Sequence, residues 1–435
     1  MRLILSCALA TGALFVTPVL AQSPLIQASN SSVGVHAPDT LTVRLTELQA
    51  WDLAEKANPA LRSKRALLDA AQGERTDAGA LLYNNPTLSL ERARRQIPSA
   101  ESPSDRQKEW GANLSQTFEI AGQGTYRRDA ADAALNAIQA EIDEAQRQTR
   151  ADVSQRFFKV LALQKRLEIE AQALSLFEST ANAMQKRRAA GEDTRLDANV
   201  ALVEAERARN QLAQVREELS SARDDLAASL QLPSSSVPEA LGELAMKAMP
   251  FTLGQLLEQL PSQPRLRALS ARVDTASARL KLQRASVYPD LTVGLGVARE
   301  GAMDAREKVT MLSVSLPLPL FRRNATGIGQ ASSDLTQAQI EQQAAVRDSA
   351  AQVRGLWVKL QSVEARVKRL QGTVLPALES NQDLAGKSQR AGEIGLLEMI
   401  VVTRQTLDAR RDLLDAQSDY IITRTALEQA AGVQP

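Results

Sequence analysis

From Tyr126 to Ala190 the chain contains neither glycine nor proline, and no proline occurs between Pro103 and Pro233. Within this stretch Val160, Leu163, Leu167, Ala171, Leu174, Phe177, Ala181 and Met184 recur at steps of three and four, with charged residues and Gln between them. That spacing predicts a single helix packed along its length, close to a coiled-coil seam. About 65 residues at 1.5 Å each make a rod of roughly 95 Å, far longer than an ordinary globular helix. Ala190-Gly191-Glu192-Asp193-Thr194 interrupts it, with Gly191 as a helix C-cap and Asp193 or Thr194 as the next N-cap. A second apolar stripe then runs through Leu196, Val200, Val203, Leu212, Val215, Leu219 and Leu226. The unit predicted is an antiparallel helical hairpin with a tight tip.

The same pattern returns about 200 residues later. Val346, Val353, Leu360, Val363, Val367, Leu370 and Val374 mark one helix, and Leu396, Ile400, Leu407, Leu414 and Ile421 its partner. Between them Ala391-Gly392-Glu393 repeats Ala190-Gly191-Glu192. Asn58-Pro59-Ala60-Leu61-Arg62 pairs with Gln263-Pro264-Arg265-Leu266-Arg267, and Asn85-Pro86-Thr87-Leu88 with Tyr288-Pro289-Asp290-Leu291. Three anchors in one order at nearly one offset define an internal duplication. The predicted layout is a leader over 1–21, an extended segment over 22–40, a first repeat over 41–232, a Pro/Ser-rich linker over 233–250 and a second repeat over 251–432. Each repeat reads as helix, strand pair (86–120 and 289–320), then helical hairpin with its tip near 191 or 392.

The strand pairs have a texture of their own. Trp110, Ala112, Leu114, Gln116 and Phe118 alternate with Gly111, Asn113, Ser115 and Thr117. In the second repeat Leu291, Val293, Leu295 and Val297 do the same, as do Leu312, Val314, Leu316, Leu318 and Leu320 after a loop near Gly301. Period two means strands, and runs of about ten residues can cross an outer membrane when tilted. Two hairpins in one chain could simply cap a helical bundle. They cannot close a barrel, whereas three copies would give twelve strands and no free edge.

Composition limits the chemistry. Trp, Tyr and Phe total 14, the single His is His36 and the single Cys is Cys7. A His/Cys metal centre within one chain, Ser-His-Asp or Cys-His catalysis and a disulfide framework are excluded. No cofactor or metal site is expected, and an enzyme is not; carboxylate-only hydrolysis passes the filter but suits rod-like helices poorly. A formal charge of +1 without basic clusters argues against nucleic acid. Arg2 followed by an apolar run from Leu3 to Leu20, with Val19-Leu20-Ala21 at the cleavage spacing, reads as a secretory signal peptide. Ile4-Leu5-Ser6 makes Cys7 a poor acylation site, and His36 reads as an ordinary exposed residue. The mature chain has no apolar run of 18 residues, so any membrane crossing falls to strands.

Taken together, the paired NPALR and QPRLR starts, the PTLSL and YPDLTVGLG strand openings, the AGE tips and the ending Leu413–Gly432 resemble the TolC family of outer-membrane factors along essentially the whole mature chain. The resemblance implies a mainly helical fold with a β-barrel portion: long antiparallel coiled-coil hairpins plus four transmembrane strands per protomer, forming a trimeric twelve-stranded barrel and a periplasmic α-helical tunnel. It implies a homotrimer in outer-membrane lipid, serving as passive exit duct for an inner-membrane pump through a periplasmic adaptor. Leu114–Gln123, LSQTFEIAGQ, is similar to the segment typical of heavy-metal efflux members, with Ala121 and Gln123 in place of Gly and Lys. That points to cobalt, zinc, cadmium or nickel export with a resistance–nodulation–division pump. Multidrug or type I secretion ducts are the nearest alternatives, and a periplasmic coiled-coil adaptor the alternative of another class.

The resemblance also nominates working residues. Family members narrow the tunnel with acids just after the second tip; the matching position is Glu398, while a second family acid three residues on is Val401 here. Asp197 is the first-repeat counterpart of Glu398. Both positions also suit the favourable N-terminal end of a helix dipole. Gly191, Glu192, Gly392 and Glu393 are expected to meet the adaptor, although turn chemistry alone accounts for the glycines. Arg127 and Arg128 could anchor the strand–helix junction near lipid headgroups or form a solvated face.

Overall fold

The computed structural model describes residues 41–97, 105–233, 235–301 and 307–433. The expected signal peptide over 1–21, Cys7, His36 and the 22–40 segment lie outside the described residues. The first half runs β1 (Leu41–Leu45), α1 (Glu47–Ala57), α2 (Pro59–Ala78), β2 (Thr87–Ile97), β3 (Asp105–Phe118), α3 (Gln123–Ala189) and α4 (Arg195–Ser229). The second runs β4 (Ser236–Ala240), α5 (Leu253–Gln259), α6 (Pro264–Ala285), β5 (Leu291–Glu300), β6 (Glu307–Ser315), α7 (Ala325–Arg369), α8 (Leu375–Arg390) and α9 (Leu396–Ala431). This is the mainly helical architecture with inserted strand pairs that the periodicities predict.

The repeat is visible down to the caps. Asn58 caps α2 by accepting from the amides of Ala60 and Leu61, and Pro59 stands in the first turn; Gln263 and Pro264 hold the same places at α6. Proline suits a first turn because its missing N–H has no partner there. Thr46 and Thr252 each close a capping box with Gln49 and Gln255, three residues on.

In α4 the buried apolar positions are Ala198, Ala201, Ala205, Ala208, Leu212, Val215, Leu219, Ala222 and Leu226. Their strict three-four alternation is a heptad seam, which winds the hairpin as a left-handed coiled coil. The sequence stripe errs toward the tip, where Leu196 and Val203 are exposed while alanines fill the seam. Small side chains let the helices approach closely, so the larger residues face outward. The four alanines Ala198, Ala201, Ala205 and Ala208 share one core cluster with Ala173, Phe177, Ala181 and Met184 of α3 and Ile400 and Leu407 of α9, so the two hairpins pack side by side near their tips.

Three further differences have physical causes. The long helix of the second repeat is not continuous: Leu370–Val374 widen into a π turn before α8. Pro376, in the first turn of α8, lacks the N–H that would bond back one turn, and its ring crowds the carbonyl there. The alternation through Leu316, Leu318 and Leu320 does not extend β6, which ends at Ser315, because Pro317 and Pro319 cannot donate to a ladder. Finally, the 233–250 stretch is more than a connector. It supplies β4, paired in parallel with β1 from Leu41↔Ser236 to Leu45↔Ala240. Two five-residue strands so far apart in sequence leave little local signal. The rest of the stretch is strapped to α9, where Tyr420 and Arg424 both donate to the Lys247 carbonyl at 2.8 Å.

Candidate functional site: a two-faced sheet and two hairpin tips

The strands form one antiparallel sheet in the order β2-β3-β5-β6. Its register sorts side chains into rows. Leu88, Leu114, Leu295 and Leu312 are aligned across all four strands, and Leu90, Ala112, Val297 and Thr310 form the next row. The four leucines are all exposed, between 53% and 73%. The opposite face carries Ser89, Asn113, Gly296 and Met311 in one row and Thr87, Ser115, Gly294 and Ser313 in the next. Along β5 the small residues Gly294, Gly296 and Ala298 are buried, while Leu295 and Val297 face solvent. An apolar face out and a small, polar face in is the reverse of a water-soluble sheet. A Cβ on Gly294 would sit 2.5 Å from the Ser313 hydroxyl, so β5 and β6 meet closely at this pair. β2 and β6 are the open edges, each with unpaired backbone groups.

At the junction below the sheet, Arg127 lies over the Tyr83 ring at 3.3 Å and pairs with Glu119. It is thus half-buried and fixed at the strand–helix junction. Arg128 is exposed.

Both hairpin tips have the same construction. Gly191 adopts φ +81° and Gly392 φ +78°. Glu192 N–H donates to the Arg187 carbonyl and Gly191 N–H to that of Arg188, at 2.9 and 3.0 Å; Glu393 and Gly392 donate to Ser388 and Gln389 at 2.9 and 3.1 Å. These are Schellman caps, which need a residue in the left-handed region and therefore favour glycine. A Cβ would meet nothing within 4 Å at either glycine, so conformation, not crowding, selects them. Glu192 lies 3.5 Å from Arg187, and Glu393 accepts from the Ser388 hydroxyl at 3.0 Å.

Asp197 and Glu398 occupy equivalent positions, the third residue of α4 and of α9. Asp197 is engaged locally: its amide donates to the Thr194 hydroxyl oxygen at 3.2 Å, and that hydroxyl donates to its carboxylate at 2.6 Å. α9 has Gly395 in place of a capping hydroxyl. The exposed Glu398 carboxylate instead folds over Gly395, with Oε2 2.8 Å from where a Cβ would stand. Its sequence neighbours Leu397 and Val401 are 44% and 52% exposed.

The sequence reading missed the ion pairs that tie the two repeats together. Glu170 of α3 is completely buried. It accepts from Arg166 Nε, four residues back, at 2.7 Å and from Arg411 Nε of α9 at 2.9 Å. Closer to the tips, Glu204 of α4 pairs with Arg207 and with Arg404 of α9. Arg166 and Glu170 show the spacing of a helical pair, but nothing in the sequence says that α9 lies against α3. Among the described residues no group of three or more His, Cys, Asp or Glu side chains is placed to hold a metal ion, and no helix is long and apolar enough to cross a membrane.

The model of the outer membrane efflux protein family matches residues 50–230 and 256–433, one stretch in each repeat. The chain belongs to the outer membrane efflux protein family. It is similar to the cobalt-zinc-cadmium resistance protein CzcC of Cupriavidus metallidurans, 30% identical over 325 residues and covering 74% of each chain. It also resembles the pyoverdine export outer membrane protein OpmQ of Pseudomonas putida, 24% identical over 402 residues, 88% of this chain and 85% of that one. Among solved structures, the transmembrane channel CusC superposes with a TM-score of 0.72 at 18% identity, over 89% of this chain and 92% of that one. The outer membrane protein VceC of Vibrio cholerae gives 0.71 at 19% identity, over 89% and 96%.

Proposed function

We propose that this chain is the outer-membrane duct of a tripartite efflux system, a passive exit for divalent heavy-metal cations and not an enzyme. The observation that carries the reading is the sheet, with one exposed apolar face, one small polar face and two open edges. Three copies, each joining β6 to a neighbour's β2, make a closed twelve-stranded barrel with its apolar face toward lipid and no unpaired edge. The leader at the N-terminus suits export to that membrane, with the helical hairpins hanging in the periplasm. An inner-membrane proton-coupled resistance–nodulation–division pump supplies the energy. A periplasmic adaptor joins the pump to the tips at Gly191-Glu192 and Gly392-Glu393.

The similarity to CzcC and the LSQTFEIAGQ segment support metal cations as cargo. Metal selection falls to the partners, since a mature chain without cysteine offers no thiolate ligand. Glu398, and more weakly Asp197, are the gate candidates: carboxylates from three copies would concentrate negative potential at a narrow aperture. Opening is then a shift in population toward a splayed arrangement of the hairpins, drawn by adaptor binding. The similarity to OpmQ keeps pyoverdine export as the second reading.

The test is tolerance in a host carrying the pump and adaptor, with and without this chain. Loss of cobalt, zinc, cadmium or nickel tolerance with unchanged tolerance to organic toxicants supports the metal duct. The reverse pattern moves the cargo to small organic molecules. A chain that fractionates away from the outer membrane overturns the duct itself.

A further inference from the structure

The outward face of the sheet changes character at the end away from the helices. Beyond the rows of Leu88 and Leu90 comes a row of Arg92, Trp110, Arg299 and Lys308, then Arg94 opposite Lys108. All six side chains are exposed. Two of the registered pairs, Arg299↔Lys308 and Arg94↔Lys108, place like charges directly across from each other, an arrangement that destabilises a sheet left to itself. The compensating acids at this level, Glu91, Glu109, Glu300 and Glu307, fall on the other face through the strand alternation. Arg95 also turns to that face and pairs with Glu109 at 3.3 Å. Among the described residues none of the five outward cations has a carboxylate partner.

We propose that these rows bind a lipid carrying two or more phosphates in the outward-facing leaflet; the site rests on the barrel reading above. The chemistry is that of an amphiphile. From Phe118 to Trp110 the face is largely apolar for about 26 Å along the strand, at about 3.3 Å per residue, or about 20 Å of depth once the strand is tilted by about 40°, a layer for acyl chains to cover. The cations then begin with Trp110 among them, where an interfacial aromatic belongs. Arg92 and Arg299 stand two strands apart, about 10 Å, so separate phosphates of one headgroup can each find a cation. Free phosphate would use the cations but not the apolar rows. A bound lipid phosphate separates Arg299 from Lys308 and Arg94 from Lys108, relieving both like-charge pairs.

The experiment uses the full chain, reconstituted in phosphatidylcholine nanodiscs, with bis-phosphorylated lipid A and its dephosphorylated form as probes. Retention of each after gel filtration is read by mass spectrometry. The bis-phosphorylated probe should be retained preferentially, and Arg299→Ala with Lys308→Ala should lower its retention roughly 30-fold, about five-fold for each cation lost. Arg94→Lys and Arg299→Lys, which preserve charge, should retain it, as should Arg95→Ala on the other face. Equal retention of both probes by an inserted chain overturns the site and leaves the duct intact. So does displacement of the probe by inorganic phosphate alone. A chain that does not enter the bilayer overturns both.

Discussion

Glu170 of α3, with no exposed side-chain surface, receives the Arg411 guanidinium of α9 at 2.9 Å. This contact joins the first hairpin to the second across 241 residues of sequence. Arg166 donates to the same carboxylate and also reaches Asp415 at 3.3 Å. A buried carboxylate held between two guanidinium groups is costly to disturb from one side only, because the remaining charges lose their partner without regaining water. Glu170→Ala should lower stability by about 3 kcal/mol, read from chemical denaturation of the detergent-solubilised protein. A double-mutant cycle with Arg411→Ala should show strong coupling. Additive effects would mean that the pair does not bind the hairpins together.

The exposed Glu398 carboxylate lies folded over Gly395. If three such groups ring a closed aperture, Glu398→Ala should raise single-channel conductance in planar bilayers or weaken block by divalent cations. Asp197→Ala should do so less, since Asp197 is engaged by Thr194. Unchanged conductance and block in Glu398→Ala would remove it from the gate.

The two tip glycines should respond to alanine differently from those inside helices. Gly191→Ala and Gly392→Ala force a side chain into the left-handed region and should each cost about 1 kcal/mol. Gly355→Ala, inside α7 where a Cβ meets nothing within 4 Å, should stabilise by about 0.5–1 kcal/mol. Thermal unfolding of the three variants gives opposite signs if conformation alone governs the tips.

Glu141 of α3 accepts from Lys64 of α2 at 2.7 Å and from Arg272 of α6 at 2.6 Å. Burial works to raise its pKa, but the hydrogen bonds and charges of these two cations outweigh it and hold the group below the ordinary value of 4.5. A depressed carboxyl contributes stability above its unfolded pKa and loses it as pH falls through the folded value. Stability should therefore decline as pH drops below about 4.5. Glu141→Gln should reduce that slope while lowering stability at pH 7 by about 1–2 kcal/mol. An unchanged slope would show that other carboxylates control the acid limb.

The duplication, the long helices, the tips and the strand pairs are legible in the sequence because each is a local, periodic signal repeated twice. Gly191 and Gly392 announce themselves since no other residue enters the left-handed region so cheaply. Three things depend on contacts between segments distant in the chain. The β1–β4 pair consists of strands too short to read alone, and the Glu170–Arg411 contact requires knowing which helices touch. The charge sorting on the sheet depends on register: Arg92, Trp110, Arg299 and Lys308 come from four strands, and a slip of one residue would send them to the other face. Sequence periodicity determines which elements form and which of their faces are apolar. Only the tertiary structure decides which faces meet, because that choice rests on interactions between residues up to hundreds of positions apart.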